Sequence, residues 1–232
     1  ATPYLNINSP EKRSGKTRLL EVQELLVARP WLTGRTTAAA LARKVDNDCP
    51  TLLLDESDAA FKGDKEYSET LRSILNTGHR RGGKVTCCIG QGANLDFRDF
   101  STFCPKAIAG IGKLPDTVSD RSIAIILKRR APSEPVKRFR YRDAALEAAP
   151  LRESLTRWTS QAVPALRDAR PDIPDALDDR AADGWEPLLA IADMAGGDWP
   201  HRARDAAREL SAGASREDDS IGVRLLADIR TA

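Results

Sequence analysis

The amino-acid sequence predicts an α/β fold, a mostly parallel sheet flanked by helices, followed by a smaller all-helical domain. Three observations carry this. Strand-type and helix-type patterns alternate from Tyr4 to Leu127, as they do where crossover helices join parallel strands. The run Thr51-Leu52-Leu53-Leu54 is continuously apolar rather than alternating, the form of a strand covered on both faces. From residue 143 onward strand signals disappear, and amphipathic or alanine-rich helical patterns replace them.

The elements follow in order. Tyr4-Leu5-Asn6-Ile7-Asn8 is a short, half-apolar run of strand type. After a polar loop a helix is expected from Lys16 to about Ala28, with Leu19, Val22 and Leu26 on one face, widened by Leu20 and Leu25. Pro30 stops it. Residues 37–46 read as a second helix, Cys49-Pro50 breaks the chain, and Thr51–Leu54 is the buried strand. Residues 66–79 form the next helix, with Leu71, Ile74 and Leu75 inward and glycines ending it. Val85 to Ile89 and Phe97 to Phe103 are expected to pair as a hairpin through a turn at Gly90-Gln91-Gly92-Ala93-Asn94. Lys106 to Ile111 and Ser122 to Leu127 complete the strands. Residues 128–142 read as a linker, and Leu151 to Leu166, Trp185 to Ala195 and His201 to Ala212 as helices divided by Pro164, Pro171, Pro174 and Gly196-Gly197. The expected domains are therefore 1–142 and 143–232.

The 232 residues are 41% hydrophobic and 30% charged, which excludes wholesale disorder. No apolar run approaches the ~20 residues of a membrane helix. Ala1-Thr2-Pro3-Tyr4 has neither the basic start nor the apolar core of a signal peptide. Four cysteines in a chain of this length make no disulfide framework. These readings together imply a soluble, cytoplasmic protein. The net charge of +2 hides an asymmetry: residues 1–142 carry 25 Lys/Arg against 16 Asp/Glu, and residues 143–232 carry 11 against 18. A basic part joined to an acidic part fits an anion-binding core with a second module, or simply two solvated surfaces.

The chemistry starts at Ser9-Pro10-Glu11-Lys12-Arg13-Ser14-Gly15-Lys16-Thr17. The general pattern G-x-x-x-x-G-K-[ST] curls backbone N–H groups around phosphates. Gly15, Lys16 and Thr17 match it, whereas Pro10 stands at the first glycine position. Proline brings no N–H and a fixed φ, so the entry to the loop must differ or be more rigid. A strand runs in and a helix opens at Lys16-Thr17, so the helix's free amides and dipole would meet the phosphate. In this reading residues Pro10 to Arg18 cradle the nucleotide, Lys16 reaches its β- and γ-phosphates, and Thr17 ligates Mg²⁺.

Asp55 lies 39 residues after Lys16, and Leu52-Leu53-Leu54-Asp55-Glu56 has the form of an apolar strand ending in acids. Asp55 would hold Mg²⁺ at the carboxyl edge of the sheet. Glu56 would polarise the attacking water. Without the preceding loop the same string would read as a strand ending in solvated acids.

With both motifs in order, the chain resembles an AAA+ P-loop ATPase. Within that superfamily it is similar to an uncharacterised family of helicase-like ATPases of bacteria, plasmids and prophages, related to MCM-like and superfamily-three helicases. The resemblance also rests on Leu75–Gly83, Pro105–Gly112, Leu114–Ile123 and Trp185–Asp193, and covers most of residues 4–212. It implies ATP and Mg²⁺ as cofactors, a helical lid after the core, and a proline-containing phosphate loop as the usual form. Arg121, ahead of Ile123-Ala124-Ile125-Ile126, takes the place of an arginine finger that acts on a neighbouring subunit's nucleotide. A homo-oligomer, by analogy a ring of six, follows from that role. Arg180 would contact the γ-phosphate from the lid. The first strand begins at Tyr4, so the linker that covers adenine in such ATPases is absent, and a segment of a longer protein is expected.

The hairpin resembles one that grips DNA in these helicases. Its tip, Gln91-Gly92-Ala93-Asn94, has no cation, while Lys84 and Arg98 lie near its base. Phe97, Phe100 and Phe103 read as packing, and His79-Arg80-Arg81-Gly82-Gly83-Lys84 as the better phosphate-backbone candidate. Gly110 and Gly112 stand where a polar sensor residue is common. Cys87-Cys88 lacks the spacing of a zinc site, and no membrane partner is implied. The reading is ATP hydrolysis driving translocation on, or unwinding of, DNA. Its rival is an assembly or switch ATPase acting on a protein. A non-hydrolysing scaffold is disfavoured because Lys16, Thr17, Asp55 and Glu56 are all present.

Overall fold

The structure, a computed structural model, describes residues 1–34, 36–89 and 96–218. It is a mixed α/β architecture in which five parallel strands form a sheet flanked by helices. β1 (Tyr4–Ser9), β2 (Pro30–Thr33), β3 (Thr51–Leu54), β6 (Lys106–Ile111) and β7 (Ser122–Ile126) lie in the order β2-β3-β6-β1-β7. β4 (Lys84–Ile89) and β5 (Asp96–Ser101) pair antiparallel as a separate ribbon, with Cys88 opposite Phe97. The expected turn at Gly90–Asn94 lies outside the described residues.

The sheet separates two cores. On one face α1 (Lys16–Leu26) lays Leu20 on Ile7, Leu53, Ala107 and Ala109. On the other, α2 (Ala38–Asp48), α3 (Ser57–Lys62), α4 (Lys65–Thr77) and α5 (Asp116–Ser119) pack Leu41, Val45, Ala60, Leu71, Ile74, Leu75 and Val118 against Tyr4, Leu52, Leu54 and Ile108. The chain leaving β1 thus turns to one face, and the chain leaving β3 and β6 to the other. In open α/β sheets such a divergence opens a crevice at the carboxyl ends of the strands. Here it opens at Ser9, Leu54 and Ile111.

Two compact units divide between Arg167 and Asp168. α6 (Tyr141–Arg167) is one 27-residue helix packed along α1 and belongs to the first unit. Pro150 and Pro164 lie inside it, so Pro164 does not divide it as expected. The stretch leading into α6 is tied to α1 as well: Arg18 lies over the Phe139 ring, 4.2 Å from its centroid, and Tyr141 Oη donates to Glu24 at 3.3 Å. The second unit contains α7 (Asp179–Ala195), N-capped by Asp178, whose side chain accepts from Ala181 N, and α8 (Trp199–Asp218). Inside it Arg204 chelates Asp193 with contacts of 2.6 and 3.0 Å. Among the described residues no helix is long and apolar enough to cross a membrane.

Candidate functional site

β1 ends at Ser9, and the buried Ser9 hydroxyl organises the loop that follows. Ser9 Oγ donates to the Glu11 carbonyl at 2.6 Å and accepts from Ser14 Oγ at 2.7 Å. Lys16 Nζ donates to Ser9 Oγ at 2.6 Å, to Glu11 O at 3.1 Å and to Ser14 Oγ at 3.3 Å, which fixes the ammonium at the centre of the loop. Arg13 and Gly15 both adopt left-handed backbone, φ 63° and 92°. Such alternation turns successive N–H groups toward one concavity, a nest for anions. Gly15 caps α1 without any side-chain bond, so no side chain competes for the first-turn amides that an anion would use. Pro10 leaves the strand end with no donor to offer, and the Ser9 hydroxyl takes the inward position beside it.

The second half of the site comes from β3. Asp55 N donates to Thr33 O at 2.9 Å, which aligns the turn with the edge strand. Asp55 Oδ1 accepts from Glu56 N at 2.9 Å, and Oδ2 accepts from Thr17 Oγ1 at 2.7 Å. A carboxylate and a hydroxyl separated by 38 residues therefore meet at one point. Glu56 adopts φ 53° and ψ 38° as the N-cap of α3, and its side chain is exposed. Left-handed backbone at a residue with Cβ costs about 1–2 kcal/mol, and such strain gathers at working sites.

Two hard oxygen donors beside a lysine ammonium fit a magnesium ion that arrives with a phosphate ligand, since Mg²⁺ keeps most of its shell from water and phosphate. An all-protein cage is not what this site offers: among the described residues no three His, Cys, Asp or Glu converge. Lys12 and Arg13 are exposed on the loop. Arg18 is engaged elsewhere, donating to the Glu21 carboxylate and lying over Phe139.

Arg121 stands apart from this constellation. Its carbonyl accepts from Tyr4 N at 2.9 Å and its guanidinium donates to Thr117 O. That is the amino edge of the sheet, about 17 Å of strand from Ser9. Arg180 lies in the first turn of α7 in the second unit.

Sequence reasoning missed Ser57 and Asp58. A Cβ on Gly110 would fall 2.2 Å from Ser57 Oγ, so no polar side chain fits there and Ser57 fills the place. Asp58 Oδ1 accepts from Ile111 N at 3.0 Å and ties α3 to the end of β6. The string Asp55-Glu56-Ser57-Asp58 carried the signal, a short polar run straight after a buried strand.

The basic residues of the hairpin are paired: Lys84 with Asp99 at 3.5 Å, and Arg98 with Asp46 at 3.2 Å. Phe100 is buried as expected, whereas Phe97 is 73% exposed. Arg81 lies over the Phe103 ring at 5.2 Å. The four cysteines are free thiols, of which Cys104 is buried and Cys88 exposed.

The family match covers the later part of the chain. Residues 126–232 match the model of a family described as "Protein of unknown function (DUF3631)". Over 107 residues, 46% of this chain and 40% of the relative, the chain is 49% identical to an "Uncharacterized 28.9 kDa protein in xis 5'region" of Saccharopolyspora erythraea. The chain thus spans about 40% of that relative's length. The phosphate-loop candidates and the acid pair lie before the family-matched stretch.

Proposed function

We propose that this chain is an ATP-hydrolysing module of the AAA+ P-loop class, working with Mg²⁺. The single observation that carries the reading is the 2.7 Å contact between Thr17 Oγ1 and Asp55 Oδ2, beside a loop centred on the Lys16 ammonium. The crevice rule supports it, since the loop leaves β1 where the crossovers diverge.

Each residue then has a role. The Glu11–Gly15 amides and the first turn of α1 donate to phosphate oxygens, and Lys16 exchanges its neutral oxygens for those of the β- and γ-phosphates. Thr17 and Asp55 would hold a magnesium ion, which would supply charge neutralisation for the phosphates. Glu56 orients a water and takes its proton as the water oxygen bonds to the γ-phosphorus and the bond to the bridging oxygen breaks, releasing ADP and phosphate. Arg121 lies too far from its own loop to assist, so an arginine-finger role requires a neighbouring copy, by analogy in a ring. Arg180 would serve from the helical lid.

Two readings of the work follow. The basic first 142 residues favour DNA translocation or unwinding. The carboxylate pairing of Lys84 and Arg98 favours a switch or assembly ATPase acting on protein. Turnover measured with and without single-stranded DNA across a salt series separates them. DNA stimulation that falls steeply with salt supports the first, and indifference to DNA supports the second.

A further inference from the structure

Beside α3, α4 and the turn after β6, the first unit contains a cavity of about 250 Å³. Asn6, Ser57, Asp58, Arg72, Gly110 and Lys113 stand in its wall. None of Ser9–Thr17 borders it, and neither does Asp55.

Asn6 is the residue that needs explaining. It sits in the middle of β1, opposite Ile108 on one neighbour and Ala124 on the other. It is only 4% exposed, and among the described residues nothing hydrogen-bonds its side-chain amide. A buried polar side chain is normally matched by a protein or water partner, and a central strand position would otherwise take an apolar residue. The amide opens instead on the cavity.

The rest of the wall sets the chemistry. Ser57 offers a hydroxyl, and Arg72 and Lys113 offer cationic N–H donors. The one carboxylate, Asp58, already spends Oδ1 on Ile111 N at 3.0 Å. Gly110 brings no side chain of its own, and the Ser57 hydroxyl packs against the strand there. Phe61, Ile111, Leu114 and Pro115 make up the apolar part of the wall, and among its polar side chains the donors and cations outnumber the single carboxylate.

We propose that this cavity binds a small tetrahedral oxyanion of the phosphate class. Arg72 and Lys113 supply the charge, and the Asn6 amide and Ser57 hydroxyl supply the orientation. The inference stands on these residues and does not rest on the nucleotide reading.

The test must silence the phosphate loop first. Equilibrium dialysis of radiolabelled inorganic phosphate against the full-length Lys16→Ala chain is expected to show one equivalent bound. Adding Arg72→Gln should weaken that binding at least about tenfold, the loss expected of a charge-assisted bond; Lys113→Gln should act in the same direction. Arg72 is exposed, so the substitution removes no core packing, and circular dichroism checks that the variant is folded. Absence of phosphate binding in Lys16→Ala overturns the proposal, as does binding that survives both cavity substitutions unchanged. A wild-type chain that holds phosphate here yet binds no ATP would defeat the proposed function alone.

Discussion

Thr17 Oγ1 and Asp55 Oδ2 stand 2.7 Å apart although one opens a helix and the other closes a strand on the far side of β6. Neither residue alone is a metal site. Their meeting depends on the sheet order, which puts β1 and β3 on either side of β6, all three parallel, with Leu54 level with Asn6 and β1 running on to Ser9 opposite Ile111. Thr17→Ala and Asp55→Asn should each weaken ATP binding about tenfold or more in magnesium and change it little in EDTA. Calorimetric titrations in the two buffers check this, and equal losses in both would count against a metal role.

Glu56→Gln should retain Mg-ATP binding while lowering turnover by about 10²–10⁴, the range of general-base catalysis. Phosphate-release kinetics beside a binding titration give the two numbers. Undiminished turnover would move the base elsewhere.

Arg121 sits at the amino edge of the sheet, bonded through its carbonyl to Tyr4 N at 2.9 Å. A role at a nucleotide must then cross between copies. Arg121→Ala and Lys16→Ala chains, each impaired alone, should regain part of the wild-type turnover when mixed. Mixtures no better than their parts would remove the shared-site argument.

Lys106 is 3% exposed, and its ammonium donates to the carbonyls of Gly78, Thr102 and Cys104 at 3.1, 2.9 and 3.0 Å. Burial holds its pKa below the ordinary lysine value. Lys106→Met would orphan three carbonyls at once. We expect a loss of roughly 3 kcal/mol, a fall in Tm of roughly 6–12 °C. Differential scanning calorimetry measures it.

Tyr4 is buried beside that ammonium, and its hydroxyl donates to Leu75 O at 2.7 Å. Burial, with the Cys104 thiol adding to it, pushes the phenol far above its usual range, against a smaller opposing pull from Arg121. A folded pKa raised above the unfolded value near 10 stabilises fully below that value and is lost as pH rises beyond it. Stability should therefore fall above about pH 10 by up to about 1.4 kcal/mol per pH unit from this group. Tyr4→Phe should flatten that slope in urea titrations at pH 9 to 11.

Local signals carried much of this molecule. A strand, a Gly-Lys-Thr turn and a helix are contiguous, so β1, the loop and α1 could be read directly, and Thr51–Leu54 announced β3 by its unbroken apolarity. Pro30 read as a helix stop hid β2, because an edge strand tolerates a proline at its first residue. α3 is six residues long, too short for a helical period to show. Pro164 misled because tertiary packing along α1 keeps α6 helical despite its prolines. The approach of Gly110 to Ser57 joins positions 53 residues apart, and only the folded sheet brings them together.

The central claim is a nucleotide held by Lys16 and the Thr17–Asp55 pair. Its most direct test is titration of Mg-ATP into the wild-type and Lys16→Ala chains by isothermal calorimetry. One saturable site in the wild type, weakened at least about tenfold by the substitution, is the predicted result. A wild-type chain, folded by circular dichroism, that gives no binding heat with any Mg-nucleoside triphosphate would contradict it.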